Sequence, residues 1–139
     1  MPVKPAIIPC LRYADAPRAI AFLCEAFGFE VRALYADDED SKIVHHAQLV
    51  RDGQMIMLST VTGGDYADRA AMVTVAEAGG NTQAPYVTVD DVDAHAERAR
   101  AAGADIFHGP VDQDYGGRGY SARDPEGNVW SFGSYDPFA

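Results

Sequence analysis

The apolar residues recur along the chain in an order that predicts a strand, a helix and three further strands. The first strand is predicted over residues 6–13, where Pro9 favours an edge position. The helix begins after the cap residue Asp15, carries Pro17 in its first turn, and keeps three- and four-residue apolar spacing until Gly28. The three strands that follow are predicted over 29–35, 43–50 and 55–58.

The second half of the chain repeats this order after a linker over about 62–83, whose Gly-Gly pairs lack a fixed periodicity. A strand is predicted over 85–89. The helix after it begins at Asp90-Asp91 and ends at Gly103, as the first helix ends at Gly28. The remaining strands are predicted over 104–108, 119–123 and 129–135.

Matched capping glycines, matched turns and matched element order together indicate an internal duplication. We therefore predict an α+β fold in one domain over residues 1–139, with module one at about 5–61 and module two at about 84–136. Each module has the order βαβββ. Four strands and one helix leave one sheet face uncovered, so we expect the eight strands to form a curved mixed sheet around a shared cleft, with the helices outside.

Composition limits the possible partners. The 139 residues are 47% hydrophobic and carry a formal net charge of -10, which suits a single soluble domain and disfavours nucleic acid and anionic membrane surfaces. The two cysteines have neither disulfide-scaffold nor zinc-site spacing, and no signal peptide or spanning segment is expected. These features predict a cytoplasmic protein, and the negative charge favours cationic ligands.

Four sequence features carry a family resemblance: LRYADAP at the first helix, VDDVDAHAERARAAGA at the second, the DYGGR loop and the closing RDPEGNVWSF. With the paired modules, they resemble the vicinal oxygen chelate superfamily of glyoxalase I, extradiol dioxygenases and bleomycin resistance proteins. The loop and the ending are most similar to the PhnB-like glyoxalase group. The resemblance implies the paired-module fold and a ligand site in the cleft, but it leaves the reaction open.

Enzymes of this superfamily hold a divalent metal through residues on the first and last strands of each module. The resemblance places those positions at Ile8, Met57, Ala84 and Ser131. None is a histidine or a carboxylate, which are the donors such ions require. We therefore expect no metal and no other cofactor, and none of the chemistry that depends on a metal as Lewis acid.

Several side chains remain as candidate ligand contacts. The resemblance to glyoxalase I gives Arg12 a substrate-contacting role, and Tyr115 and Arg118 lie on a glycine-supported loop that can close over a ligand. Only one of His45 and His46 can face the cleft, because adjacent strand residues point in opposite directions. The complete predicted set is Arg12, His45, Met57, Tyr86, Tyr115, Arg118 and Ser131. Trp130 is expected in the core beneath a helix.

The sequence thus predicts a metal-free protein that binds a small cationic or aromatic molecule, acts as a homodimer and resembles the bleomycin resistance proteins. The alternative is a lyase, isomerase or dioxygenase of glyoxalase type, with a relocated metal or a histidine base at His45 or His46. A third interpretation is a structural dimer without a ligand. The sequence also leaves open whether the two modules pair within one chain or across a swapped dimer.

Overall fold

The computed structural model describes residues 2–139, which form eight strands and four helices. The first module consists of β1 (Cys10–Tyr13), α1 (Ala16–Phe27), β2 (Glu30–Ala36), β3 (Val44–Arg51) and β4 (Gln54–Thr60). The linker contains α2 (Asp65–Ala70) and α3 (Val75–Ala78). The second module consists of β5 (Tyr86–Thr88), α4 (Val92–Ala101), β6 (Asp105–Asp112), β7 (Arg118–Arg123) and β8 (Val129–Gly133).

The tandem βαβββ arrangement is confirmed, with the strands divided between two four-stranded sheets. The first sheet has the order β1-β4-β3-β2 and the second has the order β5-β8-β7-β6. In each sheet the first strand of the module runs parallel to the last, and the other pairs are antiparallel. The two sheets therefore repeat one mixed topology, as a duplicated module requires.

The predicted helix ends agree with the structure. The Asp15 side chain accepts from the backbone N–H of Arg18 at 3.2 Å, and Gly28 ends α1 in the left-handed conformation with a φ of 84°. Asp91 caps α4 in the same way, through the backbone N–H of Ala94. The linker differs from the expected irregular chain, because Thr74 and Glu77 form a capping box that starts α3.

One hydrophobic core joins the two modules on the helix-covered faces of the sheets. Phe27 at the end of α1 packs against Phe132 and Trp130 of β8, with ring centroids 4.6 and 5.6 Å apart. Trp130 and Phe132 are fully buried, which confirms the predicted core position of Trp130. The first helix thus covers part of the second module's sheet.

The turn between β7 and β8 also ties the modules together. The buried Asp124 carboxylate accepts from the Tyr13 hydroxyl at 2.6 Å and from the Trp130 indole N–H at 3.1 Å. The Glu126 carboxylate accepts from the backbone N–H groups of Ala14 and Asp15, at 2.7 and 2.8 Å. The RDPEG segment therefore has a structural role, and it reaches across to the start of α1.

None of the helices within residues 2–139 has the length and apolar character needed to cross a lipid bilayer.

Candidate functional site

The sheet face turned away from α1 and α4 carries the candidate site, and we call it the open face. Along β8, Trp130 and Phe132 point into the core, so Ser131 lies on the open face between them. Its neighbours in register are Tyr86 on β5 and Ser121 on β7. Directly paired residues share a face, so these three side chains lie side by side.

The open face of the second module contains a cleft of about 210 Å³. The Ser121 and Ser131 hydroxyls lie on its wall with their oxygens 2.7 Å apart. Tyr86 lines the cleft, and its hydroxyl donates to the Tyr135 carbonyl at 2.7 Å. Tyr115 packs edge-to-face on Tyr135, with ring centroids 5.0 Å apart. Three tyrosines and a pair of small hydroxyl groups therefore line the same cleft.

Four of the seven predicted ligand contacts line this cleft: Tyr86, Tyr115, Arg118 and Ser131. Sequence reasoning missed Ser121, although the hairpin register gives it. Arg123 pairs with Val129 across the RDPEG turn, and two residues further along each strand Ser121 pairs with Ser131. Gln113 lines the cleft as well, and no local pattern marked it in the sequence.

Arg118 also borders the cleft, but its guanidinium is paired with two carboxylates. Its Nε and Nη2 donate to Asp93 at 2.9 and 3.1 Å, and its Nη1 donates to Asp112 at 3.3 Å. The hydrogen bonds from Arg118 lower the pKa of Asp93. The hydrogen bonds to Asp93, and to a smaller extent the one to Asp112, raise the pKa of Arg118. A ligand would have to compete with these partners, so the predicted Arg118 contact gains no support from this geometry.

Arg12 lines an adjoining cleft of about 370 Å³, which shares Ala84 with the first. Its Nε is buried and has no hydrogen-bond partner within residues 2–139, while Nη2 donates weakly to the Thr62 carbonyl at 3.4 Å. Buried donors are nearly always paired, so an unpaired one calls for an explanation. Met72, Val73 and Val75 supply apolar walls from the linker. The cleft therefore offers a cation and apolar contacts together.

The open face of the first module contains His46 rather than His45. A bulge between β2 and β3 shifts the pairing from Tyr35 opposite His46 to Ala36 opposite Val44, so His45 is the extra residue. The exposed His45 ring bonds to Asp37 at 3.0 Å, and this bond lowers the pKa of Asp37. The structure thus favours His46 over the predicted His45.

His46 lies among other side chains of the open face. Its Nε2 is 3.2 Å from Nε2 of Gln48, and its ring stacks on Tyr35 with centroids 6.1 Å apart. Gln48 pairs in register with Met57, and Met57 pairs with Cys10. The predicted contact Met57 is therefore on the open face, but in the other sheet from Ser131.

The positions to which the resemblance assigned metal ligands carry unsuitable donors. Ile8 and Ala84 have alkyl side chains, Met57 has a thioether and Ser131 has a neutral hydroxyl. Met57 lies on β4, whereas Ser131 lies on β8 and bonds to Ser121. In the part of the chain that the structure describes, no three His, Cys, Asp or Glu side chains are grouped to hold an ion. These residues do not fit a divalent metal.

Comparisons with known proteins agree with this architecture. An uncharacterized protein of Mycobacterium bovis is 34% identical over 135 residues, covering 94% of this chain and 84% of the relative. The crystal structure of TioX from Micromonospora sp. ML1 is 34% identical with a TM-score of 0.71, covering 94% of this chain and 98% of that chain.

A more distant structure shares the fold. FosX from Listeria monocytogenes, a fosfomycin resistance protein solved with Mn(II), has a TM-score of 0.69 at 17% identity and covers 97% of this chain and 93% of that chain. The profile of the Glyoxalase/Bleomycin resistance protein/Dioxygenase superfamily matches residues 7–132. The chain belongs to the glyoxalase/bleomycin resistance protein/dioxygenase superfamily.

Proposed function

We propose that this protein binds a small aromatic molecule on its open face without a metal ion. The observation that carries the proposal is the second-module cleft, which is lined by Tyr86, Tyr115 and Tyr135 together with the Ser121–Ser131 hydroxyl pair. Tyrosine rings offer large apolar contact areas with polar ends, which suits an aromatic ligand with a few polar atoms. Tyrosine faces also attract cations, so a cationic aromatic compound belongs to the same class.

The guanidinium of Arg12 adds a second element to the proposed site. Its Nη2 makes only a weak hydrogen bond, to the Thr62 carbonyl at 3.4 Å, so a ligand carboxylate, phenolate or carbonyl oxygen would be a stronger acceptor for this group. The linings of the Arg12 cleft and the tyrosine cleft share Ala84, and we propose that one elongated molecule contacts both. We therefore favour an aromatic body with an acceptor group over a purely cationic ligand.

The metal-free part of the proposal rests on donor chemistry. Alkyl, thioether and single hydroxyl groups bind hard divalent ions poorly, and Ser131 already shares a hydrogen bond with Ser121. We infer that this chain has lost the metal ligands of the superfamily's enzymes. Within the superfamily, we assign it to the PhnB-like group because of its DYGGR loop and DPEGNVWSF ending.

We further propose that the protein acts as a cytoplasmic homodimer and has no nucleic-acid or membrane partner. Large apolar side chains stand exposed on the single chain, including Ile7 at 99% and Leu34 at 52%, and a second copy would cover such groups. Sedimentation equilibrium tests this state, because a monomer at micromolar concentration would contradict it.

Titration calorimetry with 2-naphthoate, 2-naphthol and proflavine tests the binding proposal. We expect saturable binding of at least one probe, with 2-naphthoate binding more tightly than 2-naphthol because of Arg12. Arg12→Met should remove that preference while keeping the volume of the side chain, and Arg32→Met on the exposed strand β2 is the matched control. No binding of any probe at millimolar concentration would contradict the proposal.

A second candidate function is an enzyme that uses a histidine base, and the position of His46 beside Gln48 favours it over a metalloenzyme with a relocated ion. Metal analysis of protein purified without chelator addresses the relocated ion. One equivalent of a divalent ion per chain would support a metalloenzyme and contradict the metal-free proposal. If the protein is a binding protein without catalytic activity and its site lies in the second module, the His46→Gln variant should bind the probes with unchanged affinity.

A further inference from the structure

Gly133 occupies its position because of space rather than backbone conformation. Its φ lies outside the left-handed region, in contrast to that of Gly117, which is 71°. A Cβ at position 133 would lie 2.6 Å from the Tyr86 hydroxyl oxygen and 3.0 Å from its Cε1 atom. Any side chain here would therefore collide with the Tyr86 ring as it now lies.

The Tyr86 ring rests across this bare stretch of β8. Its hydroxyl is anchored on the Tyr135 carbonyl at 2.7 Å, while 42% of the residue stays exposed to the clefts around it. A tyrosine phenol is protonated at neutral pH and so can donate this hydrogen bond, and burial raises the pKa of Tyr86 above its usual value. The ring is thus held at one end by a hydrogen bond and along its length by the strand.

The neighbouring loop brings a second aromatic group to the same place. A Cβ at Gly117 would lie 2.6 Å from the backbone nitrogen of Tyr135, so the loop packs directly on that residue. This contact puts Tyr115 edge-to-face on the Tyr135 ring and into the cleft that Tyr86 lines. Glycines at 117 and 133 therefore bring Tyr115 and Tyr86 to one cleft.

We infer that Gly133 is a positioning residue that seats Tyr86 as a flat stacking surface, and that the cleft therefore selects planar aromatic rings over saturated rings of similar size. The inference rests on the proposed binding function and adds the shape of the ligand to it. A planar ring can lie parallel to Tyr86 and gain the attraction between stacked rings, whereas a saturated bicyclic compound is too thick for close face-to-face contact.

The test compares 2-naphthoate with decahydro-2-naphthoate, which has the same carboxylate on a saturated skeleton. Wild-type protein is expected to bind 2-naphthoate about tenfold more tightly than the saturated acid. Gly133→Ala should reduce 2-naphthoate affinity about tenfold by displacing the Tyr86 ring, and leave the affinity for the saturated acid within about twofold. Gly63→Ala is the matched control, because its Cβ would meet nothing within 4 Å.

Two Tyr86 variants keep the test decisive if Gly133→Ala is unstable. Tyr86→Leu removes the ring and should give the same loss of 2-naphthoate affinity as Gly133→Ala. Tyr86→Phe keeps the ring but loses the hydrogen bond to the Tyr135 carbonyl, and it should keep most of the selectivity for the planar acid. Equal binding of the two acids by wild type, or unchanged planar selectivity in Tyr86→Leu, would overturn the inference and leave the binding proposal standing. Failure of wild type to bind either acid or any other aromatic probe would overturn both.

Discussion

Replacing Asp124 with asparagine should weaken the junction between the two modules. Asp124 is 5% exposed, and each of its oxygens accepts from different donors. Oδ2 accepts from the Tyr13 hydroxyl and the Trp130 indole, while Oδ1 accepts from the backbone N–H groups of Glu126 and Asn128. Asparagine keeps the shape of the side chain but has one acceptor oxygen and one donor nitrogen.

In either orientation, the amide nitrogen of the new asparagine faces groups that donated to the carboxylate of Asp124, so two sets of donors meet without an acceptor. With its nitrogen towards Trp130, the indole N–H loses its acceptor in a buried site, which costs about 1–3 kcal/mol. Tyr13 also exchanges a charge-assisted hydrogen bond for a neutral one, at about 1 kcal/mol. We expect a loss of about 3 kcal/mol from a free energy of unfolding of order 5–15 kcal/mol. Tyr13→Phe, which removes one donor and leaves the Trp130 bond, should cost less, about 2 kcal/mol.

Urea unfolding followed by circular dichroism measures both losses, and an unchanged m-value shows that stability alone has changed. Asp114→Asn is the matched control, because Asp114 is exposed and should shift stability by less than about 0.5 kcal/mol. A loss below about 1 kcal/mol for Asp124→Asn would refute the view that this carboxylate holds the modules together.

Three further predictions concern other contacts between the two modules. Burial lowers the pKa of His95 from its usual 6.5, so as the pH falls the unfolded chain takes up a proton before the folded chain does. The urea midpoint of the wild-type protein should therefore fall as the pH drops below about 6.5, and that of His95→Gln should fall less. Equal falls in the two midpoints would contradict this prediction. Gly28→Ala should lower the free energy of unfolding in urea by at least about 1 kcal/mol, because the φ of Gly28 is 84° and the new Cβ would lie 3.3 Å from Arg98 Nη1. A loss within experimental error would show that the end of the helix adjusts without cost. Glu126→Gln should lower the melting temperature by an amount equivalent to about 1 kcal/mol, because the glutamine amide has only one oxygen to accept from the N–H groups of Ala14 and Asp15. An unchanged melting temperature would show that these two hydrogen bonds contribute little to stability.

Local signals in the sequence predicted the regular part of the fold. Asp15 and Gly28 marked both ends of α1 because a cap and a left-handed glycine act within one turn of the helix. Parity along β8 placed Trp130 in the core and Ser131 on the open face, since alternation needs only the strand itself. The capping box at Thr74 and Glu77 was readable in the same way, and it would have predicted the start of α3.

Features that depend on distant residues escaped prediction. The bulge that exposes His45 arises from the pairing of β3 with β2, and neither strand shows it alone. Arg118 is paired with Asp93, which lies 25 residues earlier on α4, so its sequence context suggested a free cation. The shared cleft was predicted from the duplication, yet the tyrosine site lies in one sheet, because Tyr86, Tyr115 and Tyr135 all belong to the second module.

The difference between the two faces of the sheets supports our placement of the proposed binding site on the open face. On the helix-covered side, polar groups are paired across the modules: His95 lies between the Tyr120 hydroxyl and the Phe27 carbonyl, and Asp124 accepts from Tyr13. On the open side, Arg12 keeps a buried N–H without a partner in the described chain. Strand alternation supplies both faces from the same segments, so one set of positions builds the core and the other set forms the face on which we propose that a ligand binds. A ligand oxygen that accepts from the Arg12 guanidinium would give the open face a charge-assisted hydrogen bond like those that Asp124 accepts in the core.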